Sequence, residues 1–484
     1  MFRTLFILIL ILFLTGPSIA QTFSRGGELE IPLLGGVANP SWGALARNAD
    51  HATVAMNDSG HVLVAYHSTR EDFNPNLKQV ELAFFEYDSV SDDWTLEEQV
   101  LIGDVDPSPL ISLYNQVDVK CERPDVVSVG DRFFVVWTRR YDRTVDWREP
   151  AVLECAWLEW NGTALDIHGI GANGEGFPLD FDYKVRECAG VPDAVVLKQP
   201  AGGDPTVGVV YPRQTDFSYD DATGLEDHTR LFELALVACS IDSLGQVTSQ
   251  PPLVLPNTVV YDGSDGGAAG LVLPDLAPSS EENAFWLTYE GQQIVGADTM
   301  GVVRLEYWSL NGTGVPEFAK TFKTVMATGS VIRRRPMVSS LPGSSPVEMV
   351  SIAFNKTSPG SDSDVVYELW QYDTNSFQKV PVPFGHQFNN TGFNEGKPAP
   401  LHGPHSPYTR RCYFKRSGTG GGSDGLYYYD LNSDTESVVA PSDSAARPAV
   451  SFGTPNSMDS VAVTWEDDLY FHSQWYKRIV LRVD

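Results

Sequence analysis

The chain is short of cysteine, of basic residues and of long apolar stretches. Five cysteines in 484 residues are too few for a disulfide scaffold, and an odd number leaves at least one without an intramolecular partner. Cys121 and Cys188 fall at strand starts of neighbouring repeats, so a bridge between them and a pair of buried thiols are the two alternatives. Lys and Arg number 34 against 63 Asp and Glu, for a formal charge of -29 and a pI near 4.6. Nucleic acid and acidic membrane surfaces would be repelled, and neither is expected as a partner. The one extended apolar run, from Leu5 to Leu14, follows Met1-Phe2-Arg3 and precedes Gly16-Pro17 and the small-residue site Ser18-Ile19-Ala20. That layout reads as a secretory signal over residues 1–20, cut after Ala20. No later run could span a bilayer, and no cysteine follows the cut site to carry a lipid. The expectation is a secreted monomer, extracellular or periplasmic, with one domain over residues 21–484.

What the chain has is repetition. DHATVAMNDSGHVLVAYHSTR, from Asp50 to Arg70, places an extended apolar run, an Asn57 to Gly60 turn and a second alternating run in succession, the pattern of a β-hairpin. Further copies start at Cys121, Val191, Leu273, Arg334, Lys397 and Ala446. Six of the seven open on a proline, namely Pro124, Pro192, Pro274, Pro336, Pro398 and Pro448. Proline lacks a donor but is tolerated at the first residue of a strand, so each is read as a strand start. Each second strand ends in an aromatic: Tyr66, Trp137, Tyr211, Tyr289, Phe354, Phe414 and Trp465.

A second hairpin lies between successive copies, its turns built from pairs such as Asp88-Ser89, Asn161-Gly162 and Asn311-Gly312. Four antiparallel strands in roughly sixty residues describe a propeller blade. The fold expected is all-β, a seven-bladed β-propeller of four-stranded antiparallel blades, with six or eight blades as the main counting error. The last unit has room for a third strand from Leu469 to Trp475 but lacks a fourth. The segment Glu28 to Leu34 resembles the fourth strands of other units and is expected to close the ring, which would remove a sheet edge.

In a blade, the inner strand starts and the second strand ends on the same face of the disc. Cations follow the second strand in five units, as Arg70, Arg139-Arg140, Arg213, Lys356 and Lys415-Arg416, and others stand at strand starts, among them Arg123 and Arg335. Such a rim suits carboxylate or sulfate, because guanidinium binds them in bidentate fashion. The plainer alternative is that these residues pair with acids such as Glu122, Glu71 or Asp142 and brace loops. His51 and His67 open the inner strand and follow the second strand of the first unit, so both should face the channel mouth. His61, in the turn between them, belongs to the opposite face. Histidine can act as base or acid near neutral pH, with Tyr141 and Tyr114 as further proton donors. No metal cluster stands out; Asp262-Gly-Ser-Asp265 is a candidate for structural calcium, with a solvated turn as the alternative.

The seven units, with proline start, Gly turn and aromatic exit, resemble the sialidase-like, BNR-type propeller superfamily. Within it the first unit is similar to propeller polysaccharide lyases such as the ulvan lyases, on Asp50-His51, the Asn57 to Gly60 turn and Tyr66-His67. That resemblance implies β-elimination beside a uronate. His51 and His67 would be base and acid, Arg139 or Arg123 would neutralise the carboxylate, and Tyr141 would be a substitute proton donor. The implied partner is an anionic, uronate-containing polysaccharide, and the cofactor expectation is none. A glycoside hydrolase using the rim carboxylates Asp50, Glu290 and Glu466 is the second reading, and a non-catalytic carbohydrate-binding propeller the third.

Overall fold

The structure is a computed structural model that describes residues 21–32, 49–69, 78–102, 117–143, 151–171, 174–180, 192–199, 203–216, 219–220, 225–226, 230–255, 258, 260–262, 274–295, 298–311, 316–326, 332–341, 347–357, 363–373, 376–379, 387–388, 393–402, 410–418, 424–442, 444–453, 455, 460–471 and 474–484. Among them no α-helix occurs, and antiparallel strands form a seven-bladed propeller. Blade 1 consists of Ala49–Met56, Val62–Thr69, Lys78–Asp88 and Asp93–Ile102, from the channel outward. The inner strands of blades 2 to 7 are Val117–Val129, Asp193–Leu197, Asp275–Pro278, Ile332–Leu341, Phe393–His402 and Ala446–Gly453.

Seven apolar clusters hold the wheel, one between each pair of neighbouring blades. The wall between blades 7 and 1 joins Val62, Val64 and Tyr66 to Ile479, Leu481 and Val483. The aromatic exits are fully buried in these walls, and their polar tips find carboxylates. The Tyr66 hydroxyl donates to Glu81 at 3.0 Å, the Trp137 indole to Glu154 at 3.1 Å and the Tyr289 hydroxyl to Glu306 at 3.0 Å. In the turn between the inner and second strands of blade 1, Gly60 has φ of +85°, and a Cβ there would meet Pro455 of blade 7.

The N-terminal segment closes the ring as expected. Glu28–Glu30 pairs with Gln474–Val483, with Leu29 opposite Leu481. Just upstream, Thr22–Ser24 pairs with the outer strand of blade 1, Phe23 opposite Trp94. Between the two, Arg25 donates to Asp92 of blade 1 at 3.0 Å and to Ser460 of blade 7 at 2.6 Å. The third strand of blade 7 differs from the expected Leu469 to Trp475: the second strand continues over Ser460–Phe471 and the third is Gln474–Val483. Leu469 and Trp475 therefore lie on two strands that face each other.

The prolines also need correction. Pro124, Pro336, Pro398 and Pro448 lie inside strands, not at their first residue. In each case the register slips, so that two residues oppose the single exit aromatic: Arg123-Pro124 against Trp137, Arg335-Pro336 against Phe354, Lys397-Pro398 against Phe414 and Arg447-Pro448 against Trp465. Blade 1 does the same with His51-Ala52 against Tyr66. A β-bulge leaves one residue outside the ladder, where a missing N–H costs nothing.

Among the described residues the blades are joined by backbone pairing only where Lys78 of blade 1 lies opposite Lys120 of blade 2, and side chains link their inner strands. Asp125, Asp193 and Asp275 each accept the backbone N–H of a residue one blade further round, Ala194 at 2.8 Å, Leu276 at 2.5 Å and Val338 at 2.5 Å. Burial pushes the carboxyl groups upward, Asp275 to about 8 with help from the charge of Asp125. A carboxyl raised in the folded state stabilises fully below its unfolded value, 3.8, and loses that contribution as pH rises through about 8. Asp275→Asn keeps an acceptor without the charge. The melting temperature of the native chain should therefore fall more steeply between pH 5 and 9, in the order of a few degrees, than that of the variant. Parallel curves would refute the assignment.

Candidate active site

The bulges of blades 7, 1 and 2 build the site. Their first residues, Arg447, His51 and Arg123, all adopt left-handed backbone, with φ of 49°, 54° and 56°. Such a conformation costs about 1–3 kcal/mol for a residue with a side chain and persists where the surroundings over-determine it. Its effect is to turn three side chains out of the sheet pattern at matching positions on adjacent blades.

His51 and His67 come together. Asp50 is opposite His67 in the ladder, and the two imidazole rings stack at 5.0 Å between centroids with planes 23° apart. His51 is half-buried, whereas His67 lies beneath it at 2 % exposure. The Arg123 backbone N–H points at His67 Nδ1 at 3.3 Å, which marks Nδ1 as the lone-pair nitrogen and puts the proton on Nε2. Burial, and then the charges of His51 and Lys78, push His67 down to about 3, so it is neutral at working pH.

His51 is arranged the other way round. Its Nδ1 lies 3.3 Å from Asp50 Oδ1, and its backbone N–H donates to Glu466 Oε1 at 2.9 Å. Arg447 Nη1 binds Asp50 Oδ1 and is 3.1 Å from Glu466 Oε1. It also lies 3.3 Å from His51 Nδ1, but being engaged by the acids it leaves that nitrogen to donate to Asp50. Nε2 is then the free base. Burial lowers the His51 pKa, Asp50 opposes that shift, and Arg447 and Arg123 add to it.

Two carboxyl groups sit behind the imidazole. Burial works to raise Asp50, but hydrogen bonds to His51 and Glu466 and the charges of His51 and Arg447 prevail and hold it well below the usual range. Glu466 is pushed up to about 7 by burial and by its hydrogen bond with Asp50. Asp50 is thus the more acidic of the two carboxyl groups and Glu466 the less. Lys477 Nζ completes the cluster, 3.5 Å from Asp50 and 3.7 Å from Glu466.

Among the described residues, Asp50, His51 and His67 offer donor atoms within 4.8 Å of one another and form a group that could hold a metal ion. Arg447 and Lys477 already supply positive charge at that carboxylate, so the donor set is poorly suited to a divalent cation.

The remaining sequence candidates fall elsewhere. Arg139, Arg213 and Arg416 are ion-paired within their own walls: Arg139 with Glu154 at 2.5 Å, Arg213 with Asp180 at 3.3 Å and Arg416 bidentate on Glu436 at 2.6 and 2.5 Å, its guanidinium 4.5 Å from the Tyr427 ring centre. Lys356 is half-buried near the end of its blade's second strand, and Glu290 is half-buried in the middle of its own, which runs on to Val295. His61 is on the far face, edge-on to Phe84 at 5.5 Å. Cys121 is buried, and Cys188 lies outside the described residues. Arg70, Tyr114 and Asp265 lie outside them too, as do the side chains of Arg140, Tyr141, Arg335 and Asp262. Arg447, Lys477 and Glu466 were not singled out together from the sequence. The signal for Arg447 was its Arg-Pro step at the start of the last unit, the same dipeptide as Arg123-Pro124 at the start of the second.

No family model matches the chain, and no curated protein matches it. Among solved structures it is similar to a Dyadobacter fermentans protein of unknown function, at 9% identity and a TM-score of 0.43 over 96% of this chain and 99% of that one. It is also similar to Trypanosoma rangeli sialidase in complex with sialic acid, at 8% identity and a TM-score of 0.39, over 96% of this chain but only 59% of that one. A Penicillium chrysogenum α-L-arabinanase matches at 11% identity and a TM-score of 0.40, over 75% and 92%. At such values chemistry does not transfer, and that of this chain has to be read from its own side chains.

Arg139→Leu tests whether that arginine braces the wall. It would strand the buried Glu154 carboxyl, which burial pushes up to about 7 against the pull of Arg139. Urea unfolding at pH 8 should show a loss of about 3 kcal/mol, smaller at pH 5 where Glu154 is protonated. Unchanged stability at both pH values would mean that the pair contributes nothing to the wall.

Proposed function

We propose that the chain is an exported enzyme that cleaves an anionic, uronate-containing polysaccharide by β-elimination. The observation that carries this is His51: a base with a carboxylate behind Nδ1 and cations on both neighbouring bulges. Arg447 and Arg123 meet the substrate carboxylate in this reading, and its negative charge grows as the C5 proton leaves. His51 Nε2 takes that proton. The electron pair forms the C4–C5 double bond and expels the C4 oxygen, which is protonated by the imidazolium of His51 when it departs on the same face, or by Tyr141. Buried His67, its Nε2 proton fixed by the Arg123 amide, supports the His51 ring from below as a positioning residue.

Hydrolysis is less well served. Glycosidases place a sugar between two carboxyl groups several ångströms apart. Asp50 and Glu466 both accept the His51 backbone N–H, at 3.0 and 2.9 Å, and both bind Arg447 Nη1, so they form one cluster behind His51 and do not flank a sugar site from two sides.

The test is to supply uronate polymers and follow the ultraviolet absorbance of the unsaturated product. His51→Ala should lower turnover about 10²–10⁴-fold, while His61→Ala leaves it unchanged. The acid limb of the rate profile should fall below the ordinary imidazole value of 6.5, because the His51 pKa is lowered. Reducing ends without that absorbance would establish hydrolysis. Saturable binding without either product would leave a carbohydrate-binding module.

A further inference from the structure

We propose that Cys155 and Cys239 form a disulfide that staples blade 2 to blade 3. Cys155 lies on the third strand of blade 2, Ala151–Trp160, and Cys239 on the third strand of blade 3, Arg230–Ile241. Their sulfur atoms are 3.8 Å apart across the wall between the blades, 84 residues apart in sequence, and both side chains are fully buried. Trp157, Leu179, Val237 and Val247 surround them in the same apolar cluster. Bond formation needs the two sulfur atoms to close by about 2 Å. Among the described residues the other two cysteines, Cys121 and Cys412, belong to different walls.

The oxidant is a small-molecule or protein disulfide. One cysteine thiolate attacks a sulfur of that reagent and expels one of its thiolates. The second cysteine thiolate then attacks the mixed disulfide and expels the other. Two protons and two electrons leave the protein, and one reagent disulfide becomes two thiols. Both sulfurs are shut off from solvent once the wall is packed, so the bond closes as blades 2 and 3 dock. The same burial then shields it from reductants.

The staple is independent of the chemistry at the channel mouth. The chain is produced through an oxidising secretory compartment, its free thiols are alkylated in denaturant without reductant, and its peptides are mapped by mass. The expected result is a linked pair containing Cys155 and Cys239, two hydrogens lighter than the free peptides, with neither cysteine alkylated. Full alkylation of both, or linkage of either to a different cysteine, would overturn the proposal. Protein refolded under reducing conditions should melt about 5 °C below the oxidised form, and Cys239→Ala should abolish that difference.

Discussion

The inner-strand bulge is the feature on which both wheel and site depend. Two residues have to fit opposite one large aromatic, and one of them must leave the ladder. Proline takes that place without loss, having no N–H to leave unpaired. The residue before it bears the strain and is turned toward the channel mouth, as at Arg123 and Arg447. The residue after it returns to the ladder facing the neighbouring blade. Where it is aspartate, as at Asp125, its carboxylate accepts the next blade's amide and locks the angle between the two. One short run, cation-proline-aspartate at residues 123–125, thus supplies a ligand-facing charge, a kink and a spoke.

Much of the wheel was legible because turn chemistry and strand alternation are local. The Asn57 to Gly60 turn and the exit aromatics need no tertiary context to be read, and seven recurrences count the blades. The position of proline within a strand was not legible, since an extended run that continues upstream of Pro124 looks the same as a loop leading into it. The third strand of blade 7 was misplaced for a related reason. Its second strand runs on through Leu469 to Phe471 with no Gly or Asn to announce the turn.

The site was half legible. Offsets from the turn place Asp50, His51 and His67 together because all three belong to one hairpin. Arg447, Glu466 and Lys477 come from the far end of the chain and reach His51 only because the ring closes, a contact no local pattern encodes. Burial could not be read either. Arg139, Arg213 and Arg416 occupy the expected post-strand positions, but acidic residues on adjacent strands hold them in the walls.

Charge at the mouth differs from charge elsewhere, and the protonation of Glu466 sets its size. With Glu466 protonated, Asp50 at −1 and Arg447 and Lys477 at +1 each leave a net +1 beside a neutral His51. With Glu466 ionised the same groups sum to zero. Below about pH 7 the cluster therefore attracts an anion that the rest of a -29 protein repels. The lowered pKa of His51 keeps the imidazole a base in part of that same range. Under the proposed elimination Glu466 would couple binding to proton abstraction: its proton leaves the guanidinium of Arg447 less fully neutralised, and Asp50 still holds His51 Nδ1.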